Sequence, residues 1–247
     1  SSSALDAFEN IYGLRALADY DFSKAETIVS IDADFLSDWQ GGSYSPGWSK
    51  KRVPSKENNN SMSYHIQFES NMTLSGANAD NRVPANPLEL KKILVHIYSR
   101  LIGESINGSL NPELDKYVNL CVDKLKSSGS KSVLISGIDD VNSQEIVLMI
   151  NHYLNSEVID VQAPRLIKKG RNSDLINMMD DLRSGKISGM ITSGVNPGYS
   201  LPDSEEFLKI FTDLEFTLSF SMKEDETSRV AKFLGASSHY LESWGDY

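Results

Sequence analysis

The chain has 247 residues, 40% of them hydrophobic and 23% charged, which is ordinary for a globular protein and enough for one large or two modest domains. Its net charge of −10, from 34 acidic and 24 basic residues, argues against nucleic acid or an anionic membrane as the main partner, because both require a basic face. The single cysteine, Cys121, excludes an internal disulfide framework and any cysteine-ligated iron–sulfur or zinc site within this chain.

The beginning of the chain predicts a helix, a buried strand and a long surface segment. Residues 4–18 carry apolar side chains at roughly helical spacing, with Gly13 as a possible stop. The run Thr27-Ile28-Val29-Ser30-Ile31 is mostly β-branched and apolar, which is typical of a strand buried on both faces of a parallel sheet. Residues 40–63 are rich in Gly, Pro, Asn and Lys, and we interpret them as a surface excursion inserted into the fold.

The next stretch predicts a strand, a polar loop and a capped helix. Residues 64–69 alternate in polarity with the period of a strand, and residues 70–85 have the composition of a long loop that leaves its carboxyl end. Asn86, Pro87 and Glu89 have the spacing of a helix start with a capping box. The apolar side chains that follow share one helical face: Leu90, Ile93, Leu94, Ile97 and Leu101.

The same rhythm continues through the rest of the chain. A second amphipathic helix is predicted from Asn111 to Gly129. Further strands are predicted at 133–137, 158–161, 187–193 and 214–221, and further helices at 143–154 and 174–182. Another helix is predicted from Asp203, with Glu206 as its capping-box partner. Strands separated by helices imply an α/β fold with a doubly wound, mostly parallel sheet, right-handed crossovers and helices on both faces.

We expect two α/β halves, residues 1–130 and 131–247, with the excursion at 40–63 in the first. A weak internal similarity supports this division, because residues 28–80 and 187–229 show a similar order of strand, polar loop and helix. The sequence has no apolar run long enough to cross a bilayer and no apolar segment of the signal-peptide kind. It begins at a serine and ends at a tyrosine, and we expect a segment of a longer polypeptide.

Two short motifs could bind a ligand. Asp32 and Asp34 follow the first buried strand and could hold a divalent cation, as the D-x-D pair of sugar-nucleotide transferases does. The alternative is a pair that caps the following turn, since no third acidic or histidine ligand lies nearby in the sequence. Gly194-Val195-Asn196-Pro197-Gly198 places backbone amides beside a helix start, which is a candidate cradle for an anion or a nucleotide. It matches neither G-x-G-x-x-G nor a P-loop, and an ordinary turn is the alternative.

The histidines, the cysteine and the remaining carboxylates do not match the spacing of known catalytic or metal-binding motifs. His65, His96, His152 and His239 lack the spacings of metal-binding histidines, so we interpret them as surface or core residues. Cys121 lies among apolar helix positions and is interpreted as a core thiol. No G-x-S-x-G motif occurs and the carboxylates are too scattered to nominate an acid/base pair, so no catalytic residue is predicted.

Several motifs in one order resemble a known family. In the first half these are Asp21-Phe22-Ser23-Lys24-Ala25, Ile28 to Leu36, Phe68-Glu69-Ser70 with Thr73, Gly76-Ala77, Ala79-Asp80 and Arg82-Val83-Pro84. In the second half they are the G-x-N-P turn within Ile191 to Pro197, Asp225-Glu226-Thr227 with Ala231, and the segment from His239 to Asp246. Across nearly the whole chain this pattern resembles the molybdopterin-oxidoreductase-like domain of the large iron–sulfur subunit of bacterial alternative complex III, a degenerate relative of the molybdopterin oxidoreductase family.

Departures from the active molybdopterin enzymes bear on function. In those enzymes the first strand is usually followed by an N-P turn that binds the pterin dinucleotide; here Asp32-Ala33-Asp34 stands in its place, and its carboxylates would repel a diphosphate. The acidic D-P-R-like loop is replaced by Glu69-Ser70-Asn71, without the arginine, and no cysteine is placed to ligate molybdenum. The resemblance therefore implies a scaffold without a cofactor of its own, in which Gly194, Asn196 and Pro197 are vestiges of the dinucleotide site.

The resemblance also implies a location and partners. The domain would be a non-catalytic part of a membrane-bound complex that oxidises quinol, on the periplasmic face of the bacterial inner membrane. Other domains and subunits would carry iron–sulfur clusters and haem and pass electrons to cytochrome c or a similar acceptor. The excursion at 40–63 is a candidate docking surface because of its aromatic Tyr44 and Trp48 and its basic Lys50, Lys51 and Arg52, and a solvated loop is its alternative. The alternative for the whole chain is a stand-alone enzyme, either a molybdopterin-dependent oxidoreductase or a metal-dependent sugar-nucleotide transferase using Asp32 and Asp34.

Overall fold

The computed structural model describes residues 2–54 and 61–245. They form two compact units, Ser1–Arg171 and Asn172–Tyr247, and each unit contains a parallel sheet with helices packed against it. The chain is therefore an α/β protein, as its alternation of strands and helices predicted.

The two units have the following helices and strands. The helices of the first unit are α1 (Ser3–Tyr12), α2 (Ser45–Arg52), α3 (Leu74–Ala77), α4 (Pro87–Ile102), α5 (Pro112–Ser128) and α6 (Val141–Tyr153). Its strands are β1 (Leu17–Tyr20), β2 (Thr27–Ile31), β3 (Tyr64–Glu69), β4 (Asn81–Pro84), β5 (Ser132–Ser136) and β6 (Ile159–Arg165). The second unit has α7 (Asn172–Arg183), α8 (Pro197–Ser200), α9 (Ser204–Asp213), α10 (Glu226–Val230), β7 (Gly189–Ser193), β8 (Phe216–Ser221) and β9 (Phe233–Ala236).

The first unit is built on a four-stranded parallel sheet in the order β4-β3-β2-β5. Along the chain, β3 and β4 are added on one side of β2, whereas β5 is added on the other side. This reversal is the switch point of a doubly wound sheet, and ligands of such sheets bind in the crevice beyond the strand ends there. Every residue of β2 and β5 is buried, which is why their sequences lack the alternation of a half-exposed strand.

Helices cover both faces of this four-stranded sheet. Side chains of α4 and α5 pack on the face that carries Val29 and Leu134. Side chains of α1 and a group of aromatic residues pack on the opposite face, which carries Ile28 and Val133. Neighbouring residues of one strand thus enter two different cores, and the first unit has the layered arrangement that the sequence predicted.

Both long helices of the first unit begin where the sequence predicted. Asn86 accepts hydrogen bonds from the amides of Leu88 and Glu89, and the Glu89 carboxylate accepts one from the Asn86 amide. This reciprocal capping box satisfies amides that an α-helix leaves without intrahelical partners. Asn111 caps α5 in a similar way by accepting a hydrogen bond from the Leu114 amide.

Two sequence predictions in the first unit are wrong in part. The helix predicted at 4–18 ends at Tyr12, where Gly13 adopts a φ of 72°, and Leu17–Tyr20 form β1, which pairs antiparallel with β6. The long loop predicted at 70–85 contains α3 and the edge strand β4. Elements of four residues are too short to show a period in the sequence, so their partners in the fold decide them.

The compact units divide elsewhere than the two predicted halves. The sequence analysis placed the boundary between residues 130 and 131, whereas the structure divides the chain between Arg171 and Asn172. The physical reason is that β5 pairs in register with β2 along its whole length, from Ser132 opposite Thr27 to Ser136 opposite Ile31. A strand that completes the first sheet belongs to the first unit.

The second unit holds a three-stranded parallel sheet in the order β7-β8-β9. Helices α7 and α9 pack on one face through a small core that includes Met179, Phe207 and Phe211. The large apolar side chains of the opposite face are exposed: Ile191, Phe216, Phe220 and Phe233. Helices therefore cover both faces of the first sheet, but within the described residues of the second unit they cover only one.

The predicted capping box of α9 does not form. Asp203 precedes the helix, but its side chain accepts no cap hydrogen bond, and the Glu206 carboxylate pairs with Arg183 of α7 instead, with a distance of 2.7 Å between Arg183 Nη2 and Glu206 Oε2. The sequence spacing was suitable, but an arginine on a neighbouring helix competes for the same carboxylate.

Candidate functional site

The residues that the sequence nominated lie at the carboxyl ends of parallel strands in both units. Asp32 and Asp34 follow β2, at the switch point of the four-stranded sheet. Gly194, Asn196 and Pro197 follow β7 in the second unit. We call the first place the first carboxyl edge, formed by residues 32–34, 69–70 and 136–137, and the second the second-unit crevice. Both are positions where α/β proteins bind ligands.

Asp34 caps a turn within the first carboxyl edge. Its Oδ1 accepts hydrogen bonds from the amide of Ser75, at 2.8 Å, and from the Ser75 hydroxyl, at 2.7 Å. The Ser75 hydroxyl in turn accepts a hydrogen bond from the Leu36 amide at 3.0 Å. The carboxylate thus ties the segment after β2 to α3. This geometry corresponds to the turn-capping alternative that the sequence left open.

Glu69 is a buried carboxylate, and the sequence analysis did not predict its structural role. It ends β3 with no exposed surface, and its Oε1 accepts a charge-assisted hydrogen bond from Arg82 Nε at 2.5 Å. The Thr73 hydroxyl donates to Oε2 at 2.6 Å. An added Cβ at Gly76 would lie 1.9 Å from Oε1, so this glycine leaves room for the carboxylate. The arginine that is absent from the Glu69-Ser70-Asn71 loop is supplied by the neighbouring strand β4.

Asp32 is the first residue after β2, and its backbone contacts the segment after β5 at the switch point. It adopts a φ of 58°, a left-handed conformation that Asp and Asn tolerate better than most other residues. The Gly137 amide donates to the Ile31 carbonyl oxygen at 2.8 Å, and an added Cβ at Gly137 would lie 2.0 Å from the Asp32 carbonyl oxygen. The backbone after β5 therefore packs directly on the backbone after β2.

The charge at the first carboxyl edge is negative. Loss of solvent raises the pKa of Asp32, and the nearby charge of Glu69 raises it further, whereas a hydrogen bond from the Ser70 backbone acts in the opposite direction. The folded protein thus disfavours the ionised form of Asp32. A second anion, such as a diphosphate, would meet the same repulsion.

Replacing Asp32 should therefore stabilise the protein in a pH-dependent way. Because its folded-state pKa is raised above the ordinary 3.8, Asp32 contributes stability below that value and loses the contribution as the pH rises through the folded pKa. We expect Asp32→Asn to raise the urea midpoint at neutral pH, with a difference that vanishes once Asp32 is protonated. Asn also tolerates the left-handed backbone.

The matched control for Asp32→Asn is Asp34→Asn, which removes a charge two residues away. It should lower the urea midpoint at neutral pH, because Asp34 accepts two hydrogen bonds from Ser75 that an amide oxygen accepts more weakly. A destabilising effect of Asp32→Asn at neutral pH, or a stabilising effect that persists unchanged in acid, would contradict a raised pKa of Asp32 in the folded protein.

The second-unit crevice is organised by one asparagine of the G-x-N-P turn. Asn196 Oδ1 accepts hydrogen bonds from the Thr227 hydroxyl at 2.7 Å and from the Thr227 amide at 3.2 Å, and Asn196 Nδ2 donates to Glu226 at 2.7 Å. Thr227 is fully buried and accepts a hydrogen bond from the Gly198 amide at 2.9 Å. Two sequence motifs separated by about 30 residues thus form one bonded cluster.

The glycine amides of this turn are used inside the protein. Gly194, with a φ of 65°, donates its amide to the Phe220 carbonyl oxygen at 3.2 Å, and the Gly198 amide donates to Thr227. These two donors brace the turn against β8 and α10 and do not point to a bound anion. Sequence reasoning nominated Asn196 for a ligand, whereas its side chain holds the turn and α10 together.

A crevice of about 470 Å³ lies beside this cluster, within the size range of ligand pockets. Its lining includes Asn196, Lys223, Asp225, Ser237, His239 and Glu242. Burial acts to raise the pKa of Asp225, but hydrogen bonds from Ser228 and Ser221 outweigh it and the pKa is lowered. The crevice combines one lysine with two carboxylates, so its charge is mixed.

The four histidines and the cysteine do not form one shared cluster: His239 lines the second-unit crevice, and the others lie in the first unit. His65 is buried in β3, where loss of solvent lowers its pKa to about 4, and His96 lies on α4. Cys121 is buried in α5, and burial raises the pKa of its thiol, as expected of a core residue. Within residues 2–54 and 61–245, no three His, Cys, Asp or Glu side chains are arranged to hold a metal ion.

The two aromatic side chains of the excursion at 40–63 are less accessible than the docking hypothesis requires. Tyr44 is buried, and its ring packs against Tyr20 and Phe22. Trp48 lies on α2 beneath the guanidinium group of Arg52, which pairs with Asp80 at 2.6 Å. Residues 55–60 lie outside the described residues. The aromatic side chains proposed for docking therefore serve the core of the first unit, and that part of the hypothesis is corrected.

Comparisons with known proteins do not assign a family. The chain matches no protein-family model and no curated protein. Among the described residues, no helix has both the length and the apolar character needed to span a bilayer.

Proposed function

We propose that this chain is a non-catalytic, cofactor-free scaffold domain of the iron–sulfur subunit of a membrane-bound, quinol-oxidising complex on the periplasmic face of the bacterial inner membrane. The family resemblance of the sequence supplies the complex, its partner subunits, and the iron–sulfur clusters and haem that other parts would carry. The fold is compatible with a molybdopterin-oxidoreductase-like origin, because a doubly wound sheet and a second parallel sheet both occur. The cofactor-free part of the proposal depends on whether the first carboxyl edge can accommodate a dinucleotide.

The main structural support for a cofactor-free domain is the contact between Gly137 and Asp32 at the switch point. In a nucleotide-binding sheet, glycine at this edge lets the backbone approach the phosphates of the ligand. Here the Gly137 backbone approaches the Asp32 carbonyl oxygen so closely that not even a Cβ would fit. The Asp32 carboxylate adds repulsion for any diphosphate, whereas the Glu69 carboxylate is paired with Arg82. This contact and this charge disfavour a pterin dinucleotide at the ends of β2 and β5, which supports the proposal.

The second-unit crevice supports the same proposal in a weaker way. It has the volume for part of a nucleotide, but a dinucleotide spans both halves of a doubly wound site. Its bracing contacts, Asn196 to Thr227 and Gly198 to Thr227, stabilise the turn without a ligand. A scaffold that retains this turn for its own stability needs no cofactor in the crevice.

The transferase alternative receives less support from the geometry. Hard cations prefer several oxygen ligands, and Asp34 already accepts two hydrogen bonds from Ser75. Titration calorimetry with Mn²⁺ and a nucleotide diphosphate sugar should detect no binding to the purified chain. Micromolar binding that Asp34→Ala abolishes would favour the transferase instead.

The scaffold proposal is tested by isolating the native assembly through a tag on this chain. We expect iron and haem to copurify with quinol-oxidising activity, without stoichiometric molybdenum or tungsten and without a fluorescent pterin after oxidation. Isolation of the chain without iron or haem partners would contradict the complex. Stoichiometric molybdenum together with a pterin would contradict the cofactor-free scaffold while leaving the complex intact.

A further inference from the structure

A basic pocket lies between α4 and the loop that follows it. It has a volume of about 320 Å³, and its lining includes Lys91, Lys92 and His96 of α4 and Asn107, Gly108 and Ser109 of the loop. Lys91 lies 3.4 Å from the Asp140 carboxylate. Lys92 makes no ion pair with any residue in 2–54 or 61–245. In a chain of net charge −10, this pocket is locally cationic.

The loop of this pocket contains the one Asn-Gly pair of the sequence, Asn107-Gly108. Both residues are exposed, and Gly108 has a φ of 106°, in the region that L side chains rarely adopt. Nothing lies within 4 Å of the position where a Cβ of Gly108 would be. Within the described part of the chain, the Gly108 amide donates no hydrogen bond. The amide nitrogen is therefore accessible to the side chain that precedes it.

Exposure, a following glycine and an amide without a hydrogen bond all favour deamidation through a cyclic imide. The deprotonated Gly108 amide nitrogen attacks Cγ of Asn107, a nitrogen–carbon bond forms, the Cγ–Nδ2 bond breaks, and ammonia leaves with the proton. Water then adds to one of the two imide carbonyls and opens the ring to aspartate or isoaspartate. No oxidant, reductant or enzyme is needed. A residue with a side chain after Asn hinders this attack, whereas glycine does not.

The neighbouring lysines favour the reaction electrostatically. The attacking nitrogen carries negative charge, which nearby ammonium groups stabilise, just as an opposite charge favours the ionised form of any titrating group. The new carboxylate then lies in the lining of the same pocket as Lys91 and Lys92. Their positive charges stabilise this product as well.

We propose that Asn107 is a self-modification site at which the folded protein converts an amide into aspartate or isoaspartate. The conversion adds a negative charge to the basic pocket and, in the isoaspartate form, a methylene group to the backbone of the loop between α4 and α5. The site is independent of the scaffold proposal, because it uses neither the first carboxyl edge nor the second-unit crevice.

The test is incubation of the purified, folded chain at mildly alkaline pH in heavy-oxygen water, followed by peptide mass spectrometry. Asn107 should incorporate the heavy oxygen at least about tenfold faster than any other asparagine, a difference of ~1.4 kcal/mol in the barrier. Asn71, which precedes Met72, is an exposed internal control. Equal rates at Asn107 and Asn71 would overturn the proposal, and this measurement requires no variant to fold.

Two lysine variants test the role of the pocket. Lys92→Gln should slow the conversion at Asn107, whereas Lys209→Gln, which removes an exposed lysine of the second unit, should not. If both variants slow the conversion equally or neither does, the pocket has no part in the reaction and the proposal is reduced to a sequence effect. Asn107→Gln should abolish the signal at this position.

Discussion

Arg82→Ala is expected to destabilise the first unit by about 3 kcal/mol, because it leaves the buried Glu69 carboxylate without its cationic partner. Glu69 has no exposed surface, and the Arg82 side chain is 25% exposed, so the expected loss lies at the lower end of the range for broken buried pairs. Thr73 still donates to the carboxylate, but a hydroxyl does not neutralise its charge. A loss of this size is a large fraction of the stability of a typical domain.

Urea unfolding followed by tryptophan fluorescence measures this effect in the first unit. Trp39 and Trp48 pack against its aromatic core, whereas Trp244 of the second unit is fully exposed and changes little on unfolding. Lys131→Ala is the matched control, since Lys131 pairs with Glu26 on the surface of the same unit at 2.8 Å and its loss should change little.

A double variant separates the buried charge from the arginine itself. Glu69→Gln combined with Arg82→Ala should recover part of the lost stability, because the neutral amide no longer needs a cation while it can still accept from Thr73. If Arg82→Ala is no more destabilising than Lys131→Ala, or if Glu69→Gln brings no recovery, the carboxylate is not held by this pair.

Local patterns predicted the interior of the first unit well. Residues 27–31 and 64–69 are strands, and the helices that begin after Asn86 and Asn111 have the predicted caps. In each case the signal lies within a few residues: a β-branched run, a polar alternation or a cap spaced three residues from its partner. The tertiary structure reinforces these local preferences.

The contacts that distinguish the candidate sites could not be predicted in the same way. Glu69 meets Arg82 from an adjacent strand, and Asn196 meets Thr227 from beyond β8. Such pairs depend on strand order and register, which local periodicity does not contain. Asp34 illustrates the consequence, since its spacing suited a cation as well as a cap, and only the position of Ser75 distinguishes the two.

The same limitation applies to glycine. In the sequence, Gly137 follows a predicted strand, and a glycine at such a position is compatible with a turn, a bulge or a phosphate site. The structure adds the distance to the Asp32 carbonyl oxygen, which identifies the group that approaches this glycine as the protein's own backbone. The closure of the switch point is therefore a property of the paired ends of β2 and β5.

Gly137→Ala is accordingly expected to destabilise the first unit by about 3 kcal/mol, at the upper end of the usual cost of overpacking. The added Cβ would lie 2.0 Å from the Asp32 carbonyl oxygen and 2.7 Å from its carbon, and both are backbone atoms that cannot rotate away. Relief requires separation of the two strand ends, which would also strain the hydrogen bond from the Gly137 amide to Ile31.

Gly170→Ala is the matched control for this substitution, because nothing lies within 4 Å of its added Cβ and its φ is outside the left-handed region. It should leave the urea midpoint unchanged or raise it slightly, through the lower entropy of the unfolded chain. If Gly137→Ala unfolds at the same urea concentration as Gly170→Ala, the strand ends separate easily. A switch point that opens so easily could admit a ligand, and the cofactor-free scaffold would lose its main physical support.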